Sequence, residues 1–241
     1  AGDLQARGFL VGATSGRTTL NGEGLQHQDG HSHIQANTIP NCVSYDPTYG
    51  YELAVIVQNG IERMYGPTQE NVFYYLTTLN ENYKQPAMRE GIEEGIINGI
   101  YLFDTIEAKN KFDVKLLGCG TILEQVRTAA DILANDYDVG SEIYSVTSFN
   151  ELARDGQDIE RWNMLHPNEK NKTAYISDVL GGSENNTVIA TTDHMKAYAE
   201  QVRAYIPGTF KVLGTDGFGR SDSRENLRKH FEVDANFIVI A

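Results

Sequence analysis

From residue 112 to the end, short apolar runs alternate with segments of helical periodicity, and this alternation constrains the fold more than any other feature. Phe112–Leu117 reads as a strand, Gly118-Cys-Gly120 as a turn, and Ile122–Asn135 as an amphipathic helix with Thr121 as its N-cap. Further strands are expected at Glu142–Thr147, Thr187–Ala190 and Lys211–Leu213. Helices are expected over Phe149–Leu165, interrupted near Gly156, then from Asp193 as cap to Tyr205, and over Ser223–His230 with Asp222 or Ser223 as cap. Phe237–Ala241 is a continuous apolar run and reads as a last, buried strand. Such alternation builds βαβ units and a mostly parallel sheet.

Ahead of this region the pattern is less regular. The 241 residues allow one large or two small domains. The first forty are Gly-rich and polar, with little hydrophobic periodicity, and read as loop. Cys42–Tyr45 is a short strand followed by the turn pair Asp46-Pro47. Leu53, Ile56, Val57, Ile61 and Met64 recur at helical spacing and predict a helix over Glu52–Tyr65, weakened by Gly60. Asn71–Leu79 is rich in β-branched and aromatic residues and reads as a strand. A polar stretch with Pro86 and several glycines then separates two α/β domains, which we divide as 1–88, a linker over 89–104, and 105–241. The chain opens without Met and closes on an unfollowed apolar run, so it is expected to be part of something longer, with the first domain missing its beginning.

A formal net charge of −13 repels phosphate backbones and argues against a general nucleic-acid binder. No apolar run approaches the roughly 18 residues of a membrane span, and no signal peptide is visible, so a cytoplasmic protein without membrane contact is expected. Cys42 and Cys119 lie far apart and form no CxxC, which disfavours a disulfide scaffold or a thiolate zinc site.

The densest polar cluster is Asn21–His33, where His27, Asp29, His31 and His33 fall within seven residues. Three readings stand: a metal site, as in a metal-dependent hydrolase; a substrate-binding loop in which imidazoles donate hydrogen bonds or move protons; and a solvated Gly-rich loop. Gly118-Cys-Gly120 lacks the third glycine of a dinucleotide fingerprint, since Leu123 stands in its place, and a tight turn explains it better than a phosphate site. Cys119 reads as a small buried residue, and His194 and His230 as surface or packing residues of helices. Thr215–Ser223 is a second polar loop, placed after a strand where α/β sheets present ligands.

The strings GRTTLNGEGLQHQDGHSHIQ, TIPNCVSYDPTYGYELAVI, YSVTSFNELARDGQDIERWNMLHP and GTDGFGRSDSRENL closely resemble the homodimeric bacterial pyruvate dehydrogenases, the decarboxylating first component of the pyruvate dehydrogenase complex, and the resemblance covers essentially the whole chain. More distant relatives are transketolases, whose Asp-Gly-x-Thr-His element matches Asp29–His33. The resemblance implies the end of a pyrimidine-binding thiamine-diphosphate domain, followed by a transketolase-type C-terminal α/β domain with a mostly parallel sheet. It implies thiamine diphosphate and Mg2+ as cofactors of the parent enzyme, pyruvate as substrate, a homodimer, and acetyl transfer to the lipoyl domain of a dihydrolipoyl acetyltransferase. By the same resemblance His27 is catalytic, Asp29, His31 and His33 bind substrate, and Arg220, Ser221 and Asp222 lie in an active-site entrance loop. The Gly-Asp-Gly motif that anchors diphosphate and magnesium in the family has no counterpart here: Asp3, Asp29, Asp155 and Asp216 each lack one flanking glycine. No metal ligands are assigned, cofactor-binding residues stay unknown in this chain, and the isolated chain is expected to be inactive. A metal-dependent hydrolase and a non-catalytic dimerisation module remain the alternatives.

Overall fold

The computed structural model describes residues 1–109, 113–181 and 186–241. A first sheet holds β1 (Phe9–Ala13), β2 (Cys42–Tyr45) and β3 (Phe73–Thr78), all parallel, in the order β1-β3-β2. The first forty residues are therefore not all loop: they contain β1 and a short helix α1 (Ser32–Asn37). β1 escapes a periodicity argument because it is an edge strand, with Leu10 and Val11 both more than half exposed. Helix α2 (Gly50–Tyr65) covers this sheet and begins two residues earlier than expected, because the Glu52 carboxylate accepts hydrogen bonds from the N–H groups of Thr48 and Tyr49. Gly60 lies where α2 meets Phe9 and Tyr74, whose rings are 5.3 Å apart.

The segment expected as linker carries α3 (Glu93–Asn98) and most of β4 (Ile100–Ile106). β4 is the antiparallel edge of a second sheet, which continues with β5 (Asp113–Gly118), β6 (Gly140–Val146), β7 (Thr187–Thr191) and β8 (Thr209–Leu213) in the order β4-β6-β5-β7-β8. The other pairs are parallel, as the strand–helix alternation requires. Phe112, expected to open β5, lies outside the described residues.

Helix α4 (Leu123–Tyr137) follows one 3₁₀ turn over Gly120–Ile122, so Thr121 is not its cap; the Thr121 hydroxyl instead meets that of Thr19 at 2.6 Å. α5 (Phe149–Leu165) runs unbroken through Gly156, against which the Tyr205 ring packs, and is capped by Ser148. α6 spans Tyr175–Leu180. The single helix expected from Asp193 to Tyr205 is replaced by α7 (Ala197–Glu200) and a 3₁₀ turn over Arg203–Tyr205. α8 (Arg224–His230) is capped by Ser223, as expected.

The final segment is a helix, α9 (Ala235–Ile240), and not a strand. A short apolar run does not by itself distinguish the two. Asp234 decides the matter by accepting from the N–H groups of Asn236 and Phe237. Ile238 is then buried in the cluster containing Leu123, Val126 and Leu133 of α4, while Ile240 is exposed. The two sheets meet through α5: Ser148 Oγ donates to the Ser44 carbonyl, Asn150 Nδ2 to Ser44 Oγ and the His33 carbonyl, and Arg154 to the Cys42 carbonyl.

Candidate active site

The loop between β1 and α1 is pinned to the second domain at its base. Asp193, just beyond β7, accepts hydrogen bonds from the N–H and hydroxyl of both Thr18 and Thr19. Arg17 donates to the Thr215 carbonyl, and Met195 N–H to the Gly30 carbonyl. Asp193 therefore caps a segment of the other domain and not a helix of its own. Burial of both partners makes these bonds expensive to lose.

Above this base the two polar loops of the sequence join. Gln28 is buried; its Oε1 accepts from Arg220 N–H at 2.6 Å, and its Nε2 donates to the Leu20 carbonyl. Ser221 Oγ donates to the Gly22 carbonyl at 3.0 Å, and Gly22 N–H to the Asp222 carbonyl at 3.0 Å. Arg220, Ser221 and Asp222 thus stand beside the His27 loop. The Asp222 carboxylate is taken up by Asn226 Nδ2 and Ser223 N–H, which hold its pKa below the usual range. His27 rises from this crest with its side chain 58% exposed and Nδ1 3.2 Å from Glu23 Oε2.

Asp29, His31 and His33 separate from His27. Asp29 Oδ1 accepts from the N–H groups of His31 and Ser32, and Oδ2 from the hydroxyls of Ser15 and Ser32. Burial works to raise its pKa, but the charge of His194 and these donors outweigh burial and lower it. His31 is exposed, whereas His33 is fully buried in α1 with Nε2 2.9 Å from Thr77 Oγ1. The four residues of the sequence cluster therefore do not converge on one ion. Burial, reinforced by the charge of His194, holds His33 near a pKa of about 3, so its ring is neutral.

Two buried residues that sequence reasoning missed lie beside His33. Asp46 follows β2, and His194 follows β7 outside any helix; His194 Nε2 is 3.5 Å from Asp46 Oδ2. Asp46 also accepts from the Thr77 hydroxyl at 2.6 Å. Burial opposes its ionisation, yet His194 and Thr77 bring its pKa down to about 2, while Asp46 raises that of His194 against burial. Asp46-Pro47 carries only a turn signal in sequence, and His194 sits 148 positions away, so no spacing announced this pair.

The Gly118-Cys-Gly120 turn offers no phosphate site. Gly120 takes φ +52°, and a Cβ there would stand 3.0 Å from Asp46 Oδ2, so a carboxylate occupies the space in front of the turn. Cys119 is buried with Sγ 3.2 Å from Thr192 Oγ1, and burial pushes its thiol pKa well up. It is the small packed residue expected.

Residues 1–86 match the family model of the pyruvate dehydrogenase E1 component middle domain, and residues 99–234 that of the transketolase-like C-terminal domain. Across its whole length the chain is 67% identical to the pyruvate dehydrogenase E1 component of Escherichia coli K12, 61% to that of Haemophilus influenzae and 58% to that of Pseudomonas aeruginosa. It spans 27% of the length of these curated relatives. Among solved structures, a transketolase variant from Pichia stipitis superposes with a TM-score of 0.68 at 17% identity, over 96% of this chain and 29% of that one. A split-gene transketolase described as an inactive β4 tetramer gives 0.56 at 14% identity, over 96% and 64%. The structural likenesses establish the fold.

Proposed function

Because the chain belongs to the transketolase-like C-terminal domain family, preceded by a pyruvate dehydrogenase E1 component middle domain, we propose that it is the C-terminal part of a pyruvate dehydrogenase decarboxylating component. Such an enzyme converts pyruvate to CO2 and an acetyl group passed to the lipoyl domain of a dihydrolipoyl acetyltransferase. A homodimer acting in the cytoplasm goes with this reading. The observation that carries it is identity of 53–67% to E1 components over the full chain.

The described residues do not fit the thiamine diphosphate and Mg2+ such a reaction uses. The carboxylates of Asp29 and Asp193 are engaged by hydroxyl and N–H donors, and Asp46 fills the space a phosphate would need at Gly120. We therefore assign those groups to another part of the parent enzyme and derive no step through them.

The role proposed for this chain is on the substrate side. Glu23 beside Nδ1 orients the His27 imidazole and leaves Nε2 without a protein partner among the described residues. A protonated ring donates from Nε2 to a carboxylate or hydroxyl of the reacting molecule, and a neutral one accepts a proton there. His31, exposed on the same loop, is a second contact for an anionic substrate. Asp29 and His33 set the course of the backbone between them, and Arg220, Ser221 and Asp222 brace the crest at its rim.

Exchange of these 241 residues for the matching segment of the Escherichia coli E1 component tests the reading. The folded chimera is expected to decarboxylate pyruvate and acetylate lipoyl groups, and His27→Ala in it to slow transfer on the order of a hundredfold. A folded chimera without activity overturns the family-level function; an active one indifferent to His27→Ala overturns the assignment of His27.

A further inference from the structure

We propose that His33, Asp46 and His194 form a binding site for one divalent transition-metal ion of the zinc class, which fastens the first domain to the second. The inference does not rest on the function proposed above. One ligand atom from each residue lies within 4.8 Å of the others, and all three side chains are buried. His33 (in α1) and Asp46 (after β2) belong to the first domain, and His194 (after β7) to the second.

The second observation is unmet polar valence. Among the described residues, three of the four ring nitrogens in the two histidines have no hydrogen-bond partner: Nδ1 of His33 and both nitrogens of His194. Such atoms in a sealed interior call for a bound ion or water. The surroundings favour a cation. The Thr77 hydroxyl gives its proton to Asp46 Oδ1, which leaves Asp46 Oδ2 facing His194 Nε2 at 3.5 Å. Ligand atoms on a tetrahedral zinc stand about 3.3 Å apart, so this pair is already spaced for one, and His33, with its ligand atom within 4.8 Å of both, would have to move inward to complete the set. Two imidazoles and one carboxylate suit Zn2+, Co2+ or Ni2+, whereas Mg2+ and Ca2+ require mainly oxygen ligands. A bound divalent ion would be balanced in part by the one carboxylate of the site, Asp46. The fourth position would fall to a water molecule.

The site is distinct from the exposed loop. His27 and His31 lie on the surface, so their removal should not touch it.

The test uses the purified protein stripped with a chelator, dialysed, and titrated with Zn2+ and with Co2+. One equivalent is expected by elemental analysis, with a rise in melting temperature and a cobalt d–d spectrum free of thiolate charge transfer. His33→Gln or His194→Gln should weaken binding at least about a hundredfold, and the double variant His27→Ala/His31→Ala should retain full stoichiometry. Should a glutamine variant not fold, paramagnetic shifts of the His33 and His194 ring protons in the native cobalt protein decide. Absence of stoichiometric uptake, uptake abolished by the loop variant, or cobalt that shifts neither ring would each overturn the site and leave water as its occupant.

Discussion

Asp193 Oδ1 accepts two hydrogen bonds from Thr18, from its N–H at 2.9 Å and from its hydroxyl at 2.7 Å, although 175 positions separate the residues. Oδ2 treats Thr19 in the same way. One buried carboxylate thus satisfies two consecutive backbone donors and holds the base of the crest against the strand end of the other domain. An asparagine has one acceptor oxygen and would turn its amide group towards donors. Asp193→Asn is expected to cost about 2–4 kcal/mol in urea unfolding. It should also speed amide exchange of the loop before α1, and a change under about 0.5 kcal/mol would sink this account.

Glu52 makes the same argument inside the first domain. Its Oε2 accepts from Thr48 and Tyr49 N–H, and its Oε1 from the hydroxyls of Tyr101 and Ser145 at 2.6 and 2.7 Å. Ser145 and Tyr101 belong to the second sheet, so one side chain caps α2 and ties the domains together. Glu52→Gln can keep an acceptor for the Thr48 and Tyr49 N–H groups only by turning its amide onto the Tyr101 and Ser145 hydroxyls, which must then accept instead of donate, and about 1–3 kcal/mol of stability should be lost. Calorimetry showing an unchanged melting temperature would contradict the network.

Gly60 separates helix propensity from packing. Alanine would gain about 1 kcal/mol in an exposed helix. Here its Cβ would stand 2.9 Å from two carbons of the Phe9 ring and 3.1 Å from Tyr74. Tyr74 is fully buried, so the rings have little room to yield. We expect Gly60→Ala to destabilise the protein by about 1–3 kcal/mol in spite of its better propensity, measured by chemical denaturation. A net gain would show that α2 can shift off β1.

Both thiols should be inert in the folded protein. Burial pushes Cys42 up to about 11 from an ordinary value of 9.0, and Cys119 well above it. The reactive species is the thiolate, and a raised pKa depletes it at every pH below the shifted value. At pH 7 the Cys42 thiolate is about a hundredfold scarcer than in an unshifted thiol. Alkylation counted by intact mass should therefore find no modified cysteine at pH 7 and two in denaturant. Rapid native labelling of Cys119 would contradict its packing beside Thr192.

How far the residues alone reached varies along the chain. Strand–helix alternation made the second sheet legible because each parallel crossover repeats a local pattern. The capping of α8 was equally local, since Ser223 meets the N–H only three positions on. Local signals failed where two conformations satisfy the same pattern. Phe237–Ala241 is apolar enough for a buried strand, and only Asp234 together with the surface of α4 makes it a helix.

The candidate site divides along the same line. His27 in its Gly-rich loop could be picked out by residue type, because an exposed polar side chain needs no distant partner to be noticed. Within one loop, however, sequence proximity grouped His27, Asp29, His31 and His33, and the fold disperses them: His33 turns inward to Thr77 while His27 faces solvent. The partnership of His33 with Asp46 and His194, and the meeting of Gln28 with Arg220, were decided only by tertiary structure. Local propensity depends on neighbours a few positions away. The burial that leaves a histidine ring neutral, or sets one carboxylate beside another domain's histidine, exists only after the two sheets have docked and water has been excluded between them.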